Sequence, residues 1–407
     1  MSAFEPNRPS WRSLPMSDWL VCAFLFSMAF EGSVQIPTLS KSVVPYLAMV
    51  AFVACCSDIM VKGRLHIDAL AVCVLVFMAL VLLSCVWSIA PAASRTEVMR
   101  FGGYLMTALA IAVTPRKIAA KKRLAWAVVL GGVAASVLAL ASSLAQGGFV
   151  RAALVGAAGA IDPNNFAASL LLPLALAASG RNTRWPLRLL LCGILVGGVL
   201  ATGSRGGVIG VLIVLAVALT WGRKRKAVLR GVLKMLIVMV VIWVVVVTLF
   251  PVLLTRLSYV VVQDERLEIW PVGLKAFGRF GSIGAGFASF STAYDAVGAG
   301  PAGYSRGAHN IFLQIGVELG VSGLVLFCLC MVLALKRVKS SQAGTAAILG
   351  VLAIGFFLGI LEFSFFWVTL TFPFLESDSV VIHSGESIDF DRSLERPRVR
   401  ACQHESH

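Results

Sequence analysis

Long apolar runs separated by short polar stretches make up most of the chain. Runs close to the roughly 20 residues that a helix needs to cross a bilayer fall at 18–34, 43–60, 69–90, 98–114, 124–145, 165–179, 189–202, 207–221, 231–254, 309–335 and 344–362. A shorter apolar stretch at 363–375 would make a twelfth. The pattern predicts an all-α polytopic membrane protein with 11–12 transmembrane helices over 1–375, followed by a polar C-terminal tail at 376–407. The first run follows a polar, Pro-bearing leader and ends at Glu31 without an Ala-x-Ala site. It is therefore expected to remain as a span.

One polar segment breaks this rhythm, at 255–308 between the ninth and tenth runs. Within it, "DERLEIWPVGLKAFGRF" places Leu267, Ile269, Trp270, Leu274 and Phe277 at near-helical spacing. That spacing predicts a short amphipathic helix at the membrane surface, with Pro271 in its early part. "GSIGAGFASF" then reads as a Gly-rich turn leading the chain back to the membrane.

Composition agrees with the pattern. The 407 residues are 58% hydrophobic and 14% charged, with a mean hydropathy of +0.89, whereas soluble domains carry about 25% charged residues. The formal charge of +15 raises the question of nucleic acid, and its distribution answers it. With the N-terminus in the cytoplasm, alternate loops carry Arg8 and Arg12, Lys62 and Arg64, "RKIAAKKR", Arg181 to Arg188, "GRKRK" and Lys336 to Lys339. The other side carries about half as many, the asymmetry that orients membrane proteins. These clusters read as topology anchors, so no nucleic-acid partner is expected. Eight of the nine cysteines lie in or beside apolar runs without metal-ligand spacing and read as packing residues, with no disulfide expected in the outer loops.

Four polar features carry candidate chemistry. "TGSRGG" puts Arg205 in a tight connection, either as a ligand-facing group or as a snorkelling arginine in a plain hairpin. "HNIFLQIGVELGVSG", read as one continuous helix, lines up His309, Leu313, Gly316, Gly320 and Gly323 on one face. The glycines suit close helix packing. His309 reads as an interfacial polar tip or as a proton-transfer group, and Glu318 as a functional carboxylate or one paired to a neighbouring span. "IDPNNF" offers Asp162 and Asn164 as helix caps. Finally, arginines gather on the side poor in basic charge, where planar guanidinium groups suit phosphate oxygens.

Together these stretches resemble the O-antigen ligase and polysaccharide polymerase family of bacterial envelope proteins. His309-Asn310 followed by Gly320 and Gly323 is similar to the ligases' signature after their large periplasmic loop. "TGSRGG", "RLEIW" with "GAGFASF", and "DPNNFA" resemble further family elements in the family's order, over about 160–323. Where the ligase loop usually has Arg-x-x-x-Leu, Arg266 is followed by Trp270. The resemblance implies a GT-C-like glycosyltransferase in the bacterial inner membrane, its active site facing the periplasm. It would move a glycan from undecaprenyl diphosphate to lipid A-core, as a ligase, or to a second lipid-linked repeat unit, as a polymerase. Such a donor carries its own leaving group, so neither cofactor nor metal is expected. His309 and Arg266 would be catalytic. Arg205, Arg279, Arg306, Asn310 and Glu318 would bind substrate or shape its surroundings. A secondary transporter or a flippase for the same lipid would share the hydropathy. No internal repeat of the carrier type is evident, and carriers rarely need an outer loop rich in Arg and Trp.

Overall fold

The structure is a computed structural model describing residues 15–31, 33, 35–36, 41–146, 154–156, 159–160, 162–180, 183–222, 240–241, 244, 248, 265–298 and 307–372. Most of the expected ninth span, Arg306, the start of the long polar segment and the tail at 376–407 lie outside these residues.

Fourteen α-helices are described: α1 (Met16–Ser27), α2 (Val44–Lys62), α3 (Ala69–Ser84), α4 (Pro91–Val113), α5 (Ile118–Ala145), α6 (Pro163–Ser169), α7 (Leu171–Ser179), α8 (Trp185–Ala201), α9 (Arg205–Thr220), α10 (Glu265–Phe280), α11 (Phe290–Ala296), α12 (Ile311–Val338), α13 (Gln342–Gly355) and α14 (Ser364–Thr371). Sheet structure among the described residues is limited to two antiparallel pairings of two residues each, 35–36 with 41–42 and 155–156 with 159–160. Three helices, α2, α5 and α12, are long and apolar enough to cross a membrane. Five shorter apolar stretches accompany them: α1 with its 3-10 extension, α3, α8, α9 and α13.

Three expectations change. The run at 165–179 is two helices, α6 and α7, meeting at Leu170. The twelfth stretch is an eight-residue helix, α14; that is about 12 Å of helix, too short to cross alone. The tenth run is not one continuous helix, because Gly320 (φ 70°, ψ −169°) breaks α12.

Sequence-local signals place the helix starts. Asp68 Oδ1 accepts from Ala71 N at 2.8 Å, Asp162 Oδ1 from Asn164 N at 2.7 Å, Ser204 Oγ from Gly207 N at 3.1 Å and Ser341 Oγ from Gly344 N at 3.1 Å. Each cap is worth about 0.5–2 kcal/mol. Asp162 is thus the helix cap that "IDPNNF" suggested, with Pro163 in the first turn. Lipid tails are as apolar as leucine, so close packing rather than apolar burial must hold the helices together. Small residues permit it: a Cβ on Gly131 would lie 2.2 Å from the Phe26 carbonyl oxygen. One on Gly350 would lie 2.7 Å from Val214. An aromatic cluster of Phe77, Phe101, Phe287, Phe327, Phe366 and Trp367 fills the centre, with ring centroids 4.9–6.4 Å apart.

The connections sort into two ends. At one, Arg116 Nε donates to Asp18 Oδ1 at 2.9 Å, Ser17 Oγ to Asp58 Oδ2 at 2.8 Å, and Arg337 reaches Asp68 at 3.3 Å. At the other, Ser364 meets Glu31, the 84–94 connection meets 285–288, and α10 meets the 356–357 turn. Successive helices therefore run back and forth between the ends. The first is the end to which the basic loops belong.

Candidate functional site

The turn after α13 joins three elements at the second end. Arg266, in the first turn of α10, donates Nε–H to the Phe357 carbonyl at 3.2 Å. The Trp270 ring stands edge-on to Phe356 with centroids 6.0 Å apart, and Phe312 of α12 lies 6.3 Å from the same ring. Gly206, beside Arg205, leaves room for Ile354 and Phe357, which a Cβ there would meet at 3.2 and 3.7 Å. Arg205 and Arg266, far apart in sequence, thus border one turn. Arg205 is exposed and Arg266 half-buried.

Beside this turn lies an apolar cleft of about 260 Å³ between α10 and the first half of α12. Trp270, Leu274, Phe277, Leu313 and Gly316 line it, with Asn310 at its polar edge. Trp270 Nε1–H is buried and has no hydrogen-bond partner among the described residues, although a desolvated donor normally finds one.

His309 and Asn310 lead into α12. Asn310 Oδ1 accepts from Phe312 N at 2.9 Å and Leu313 N at 3.0 Å, so this oxygen is occupied in capping the helix. His309 is half-buried with φ 46°. Among the described residues, it and Ala288 (φ 56°) are the only non-glycine residues with positive φ. Non-glycine residues rarely adopt that conformation.

Ala288 belongs to a turn, residues 281–289, that enters the break in α12. Ala285 N donates to Val317 O at 2.9 Å, Gly286 N to Glu318 O at 2.9 Å, and Val321 N to Gly281 O at 2.7 Å. The far side of the turn is held by the α3–α4 connection. Ile89 N donates to Ala285 O at 3.0 Å, Phe287 N to Ser84 Oγ at 3.1 Å, and Ser94 Oγ to Phe287 O at 2.5 Å. Irregular backbone at membrane depth is tolerated where protein satisfies its polar groups, and these bonds do so. The close packing expected of Gly316, Gly320 and Gly323 also resolves differently. Gly316 faces Phe277 of α10, Gly320 faces the 281–284 turn, and Gly323 faces Leu319 of its own helix.

Glu318 is 1% exposed. Its Oε2 accepts from Ala288 N at 3.0 Å and its Oε1 from Phe290 N at 3.3 Å. Arg279 sits at the far end of α10 from Arg266, donating to Ala296 O at 2.7 Å and lying over the Phe280 ring. Thirteen residues of helix separate the two guanidinium groups, about 20 Å, so they do not share one phosphate. Arg266, Arg205 and Asn310 are therefore brought around the 356–357 turn and its cleft, while Arg279 and the Glu318 carboxylate are not.

A polar group unnoticed in the sequence lies at the same end. Glu31 Oε2 accepts from Ser364 N at 3.0 Å and Ser364 Oγ at 2.6 Å, and Glu31 is hydrogen-bonded to Tyr104. Arg100 pairs with Glu97 at 2.7 Å and acts electrostatically on both Glu31 and Glu362. The Gln314 side chain interacts with both Glu362 and Glu318. Carboxylates at the margins of apolar runs were the available signal, since such groups are costly in a bilayer.

Residues 190–328 match the family model described as O-antigen ligase. No curated protein matches the chain. The matched stretch runs from α8 into α12 and carries Arg205, Arg266, His309, Asn310 and Glu318. Glu31, Arg100 and the 356–364 turn lie outside it. With its apolar helices the chain is a membrane protein, and over residues 190–328 it is similar to the O-antigen ligase family.

Proposed function

We propose, from the match of residues 190–328 to the O-antigen ligase family model, that the protein transfers a glycan from undecaprenyl diphosphate to a sugar hydroxyl at the periplasmic face of the bacterial inner membrane. A GT-C-like organisation is part of this reading. The observation that carries it is that Arg266 bonds to the 356–357 turn, Arg205 adjoins the glycine packed against that turn, and an apolar cleft lies beside it. A polyprenyl diphosphate has two chemically opposed halves, and this junction offers a partner to each. Guanidinium groups hold phosphate oxygens, and the cleft between α10 and α12 suits an isoprenoid tail.

The acceptor hydroxyl oxygen attacks the anomeric carbon, and the bond from that carbon to the diphosphate oxygen breaks. The electron pair leaves with the diphosphate, whose growing charge Arg266 and Arg205 stabilise. Removing such a group typically costs 10²–10³-fold in rate, roughly 2.7–4 kcal/mol. His309 takes the hydroxyl proton or orients the acceptor, and groups of this kind contribute about 10²–10⁴-fold. Asn310 fixes the start of α12 and hence the position of His309.

The test is transfer by purified protein in nanodiscs supplied with a lipid-diphosphate-linked glycan, comparing the parent with H309A, R266A and R266K. The alanine variants are expected to remain folded and to lose about 10²-fold or more of the rate. R266K is expected to fall between, because lysine keeps the charge but not the planar fork. Wild-type transfer by both alanine variants removes the assignment. Offering lipid A-core or a second lipid-linked repeat unit as acceptor separates ligase from repeat-unit or exopolysaccharide polymerase. Movement of the lipid without glycan transfer would instead support a transporter or flippase.

A further inference from the structure

We propose that Glu318 is a positioning residue that holds the Arg266 helix in register with the His309 end of α12, rather than a group that touches substrate. This rests on the glycosyl-transfer reading for its catalytic consequence, but its structural half stands independently. A regular helix would use the carbonyls of Val317 and Glu318 internally. The break at Gly320 frees them, and the amides of Ala285 and Gly286 take them up. The same turn presents Ala288 N and Phe290 N, which go to the two oxygens of the Glu318 side chain. One residue therefore holds the turn at 286, 288 and 290. With both oxygens engaged and 1% exposure, the carboxylate has no face left for a glycan or a diphosphate.

What the turn transmits is the placement of α10, which ends at Phe280 immediately before it. Phe277 packs on Gly316 one helical turn before the break, and Gly273 packs on Leu313. Clamping 281–290 into the break therefore sets how α10 lies along α12. Arg266 is at the other end of that lever. A second connection runs through Gln314, whose side chain interacts with Glu318 and with Glu362. Glu362 lies in the segment that begins with Phe357, whose carbonyl accepts from Arg266. Glu318 thus supports both the helix that carries Arg266 and the turn that Arg266 contacts.

The experiment compares the parent, E318A and E318Q in nanodiscs by amide hydrogen exchange and by transfer kinetics per folded protein. E318Q keeps the shape and one acceptor, so it reports even where E318A fails to fold. Faster exchange is expected in 285–290 and also in the remote stretches 265–275 and 356–363, with E318Q intermediate. The transfer rate kcat is expected to fall about 10- to 100-fold, as for a misplacement of about 1 Å, at little-changed KM for the lipid donor. Loosening confined to 285–290, or unchanged exchange throughout, overturns the proposal. So does a raised donor KM at unchanged kcat, which would mean that the carboxylate binds substrate. A parent that transfers no glycan would sink the proposed reaction, while remote loosening in the variants would still establish the clamp.

Discussion

Replacing Gly320 with alanine probes the break in α12 most directly. At φ 70° and ψ −169° the residue lies in a region essentially confined to glycine, and forcing a side chain there costs about 1–3 kcal/mol. The added Cβ would also lie 2.8 Å from Gly284 N and from the Ile283 carbonyl carbon, and 2.9 Å from Gly281 O. These are backbone atoms of the clamped turn, so no flexible side chain can give way. Overpacking of this kind adds roughly 1–3 kcal/mol, and the two together come to roughly 2–6 kcal/mol. A total ΔG of unfolding is commonly about 5–15 kcal/mol, so the variant is expected to be severely destabilised or to expel the turn. Gly63→Ala is the control: it has φ 60° with nothing within 4 Å of the added atom. It should show the backbone cost alone, about 1–2 kcal/mol. The assay is unfolding of both variants in the same detergent, followed by glycan transfer per folded protein. If Gly320→Ala costs no more than Gly63→Ala, the turn does not pack as described.

Two further outcomes are expected. Leu274→Gln, in the apolar cleft, should raise KM for a long-chain polyprenyl donor and leave a short-chain soluble analogue unaffected; equal effects on both would show that the tail lies elsewhere. Asp18→Ala should lower stability by about 3–5 kcal/mol, as when a buried ion pair loses one partner. Both side chains are nearly inaccessible, at 6% for Asp18 and 2% for Arg116. Replacing Asp18 and Arg116 together with apolar residues should recover much of that loss in a thermal melt, and no recovery would mean that Arg116 is held by its other contacts, to Ile111 O and Cys55 Sγ.

The positions of the helices were readable because a bilayer imposes a length and a polarity on each crossing. Short-range rules placed Asp162 at a helix start, and near-helical spacing of apolar residues predicted α10. Gly320 was misjudged for a physical reason. A glycine in an apolar run serves equally as a packing notch or as a break, and the choice depended on a turn more than thirty residues earlier supplying hydrogen bonds. Arg266, as a catalytic group, and Arg279, as a substrate-binding one, were both expected at the substrate because they share one polar segment, and a rigid helix holds them apart. Glu31 and Glu362 passed as span margins because their partners lie on other helices.

Hydropathy and charge asymmetry by themselves determined that the chain is a helical membrane protein and which helix ends group together. Both are set by transfer between water and lipid, a property of each segment alone. Tertiary structure decided which arginines lie near one turn, where α12 breaks and what the Glu318 carboxylate bonds to. These depend on hydrogen bonds and contacts between segments remote in sequence, whose energies exist only once the helices have packed.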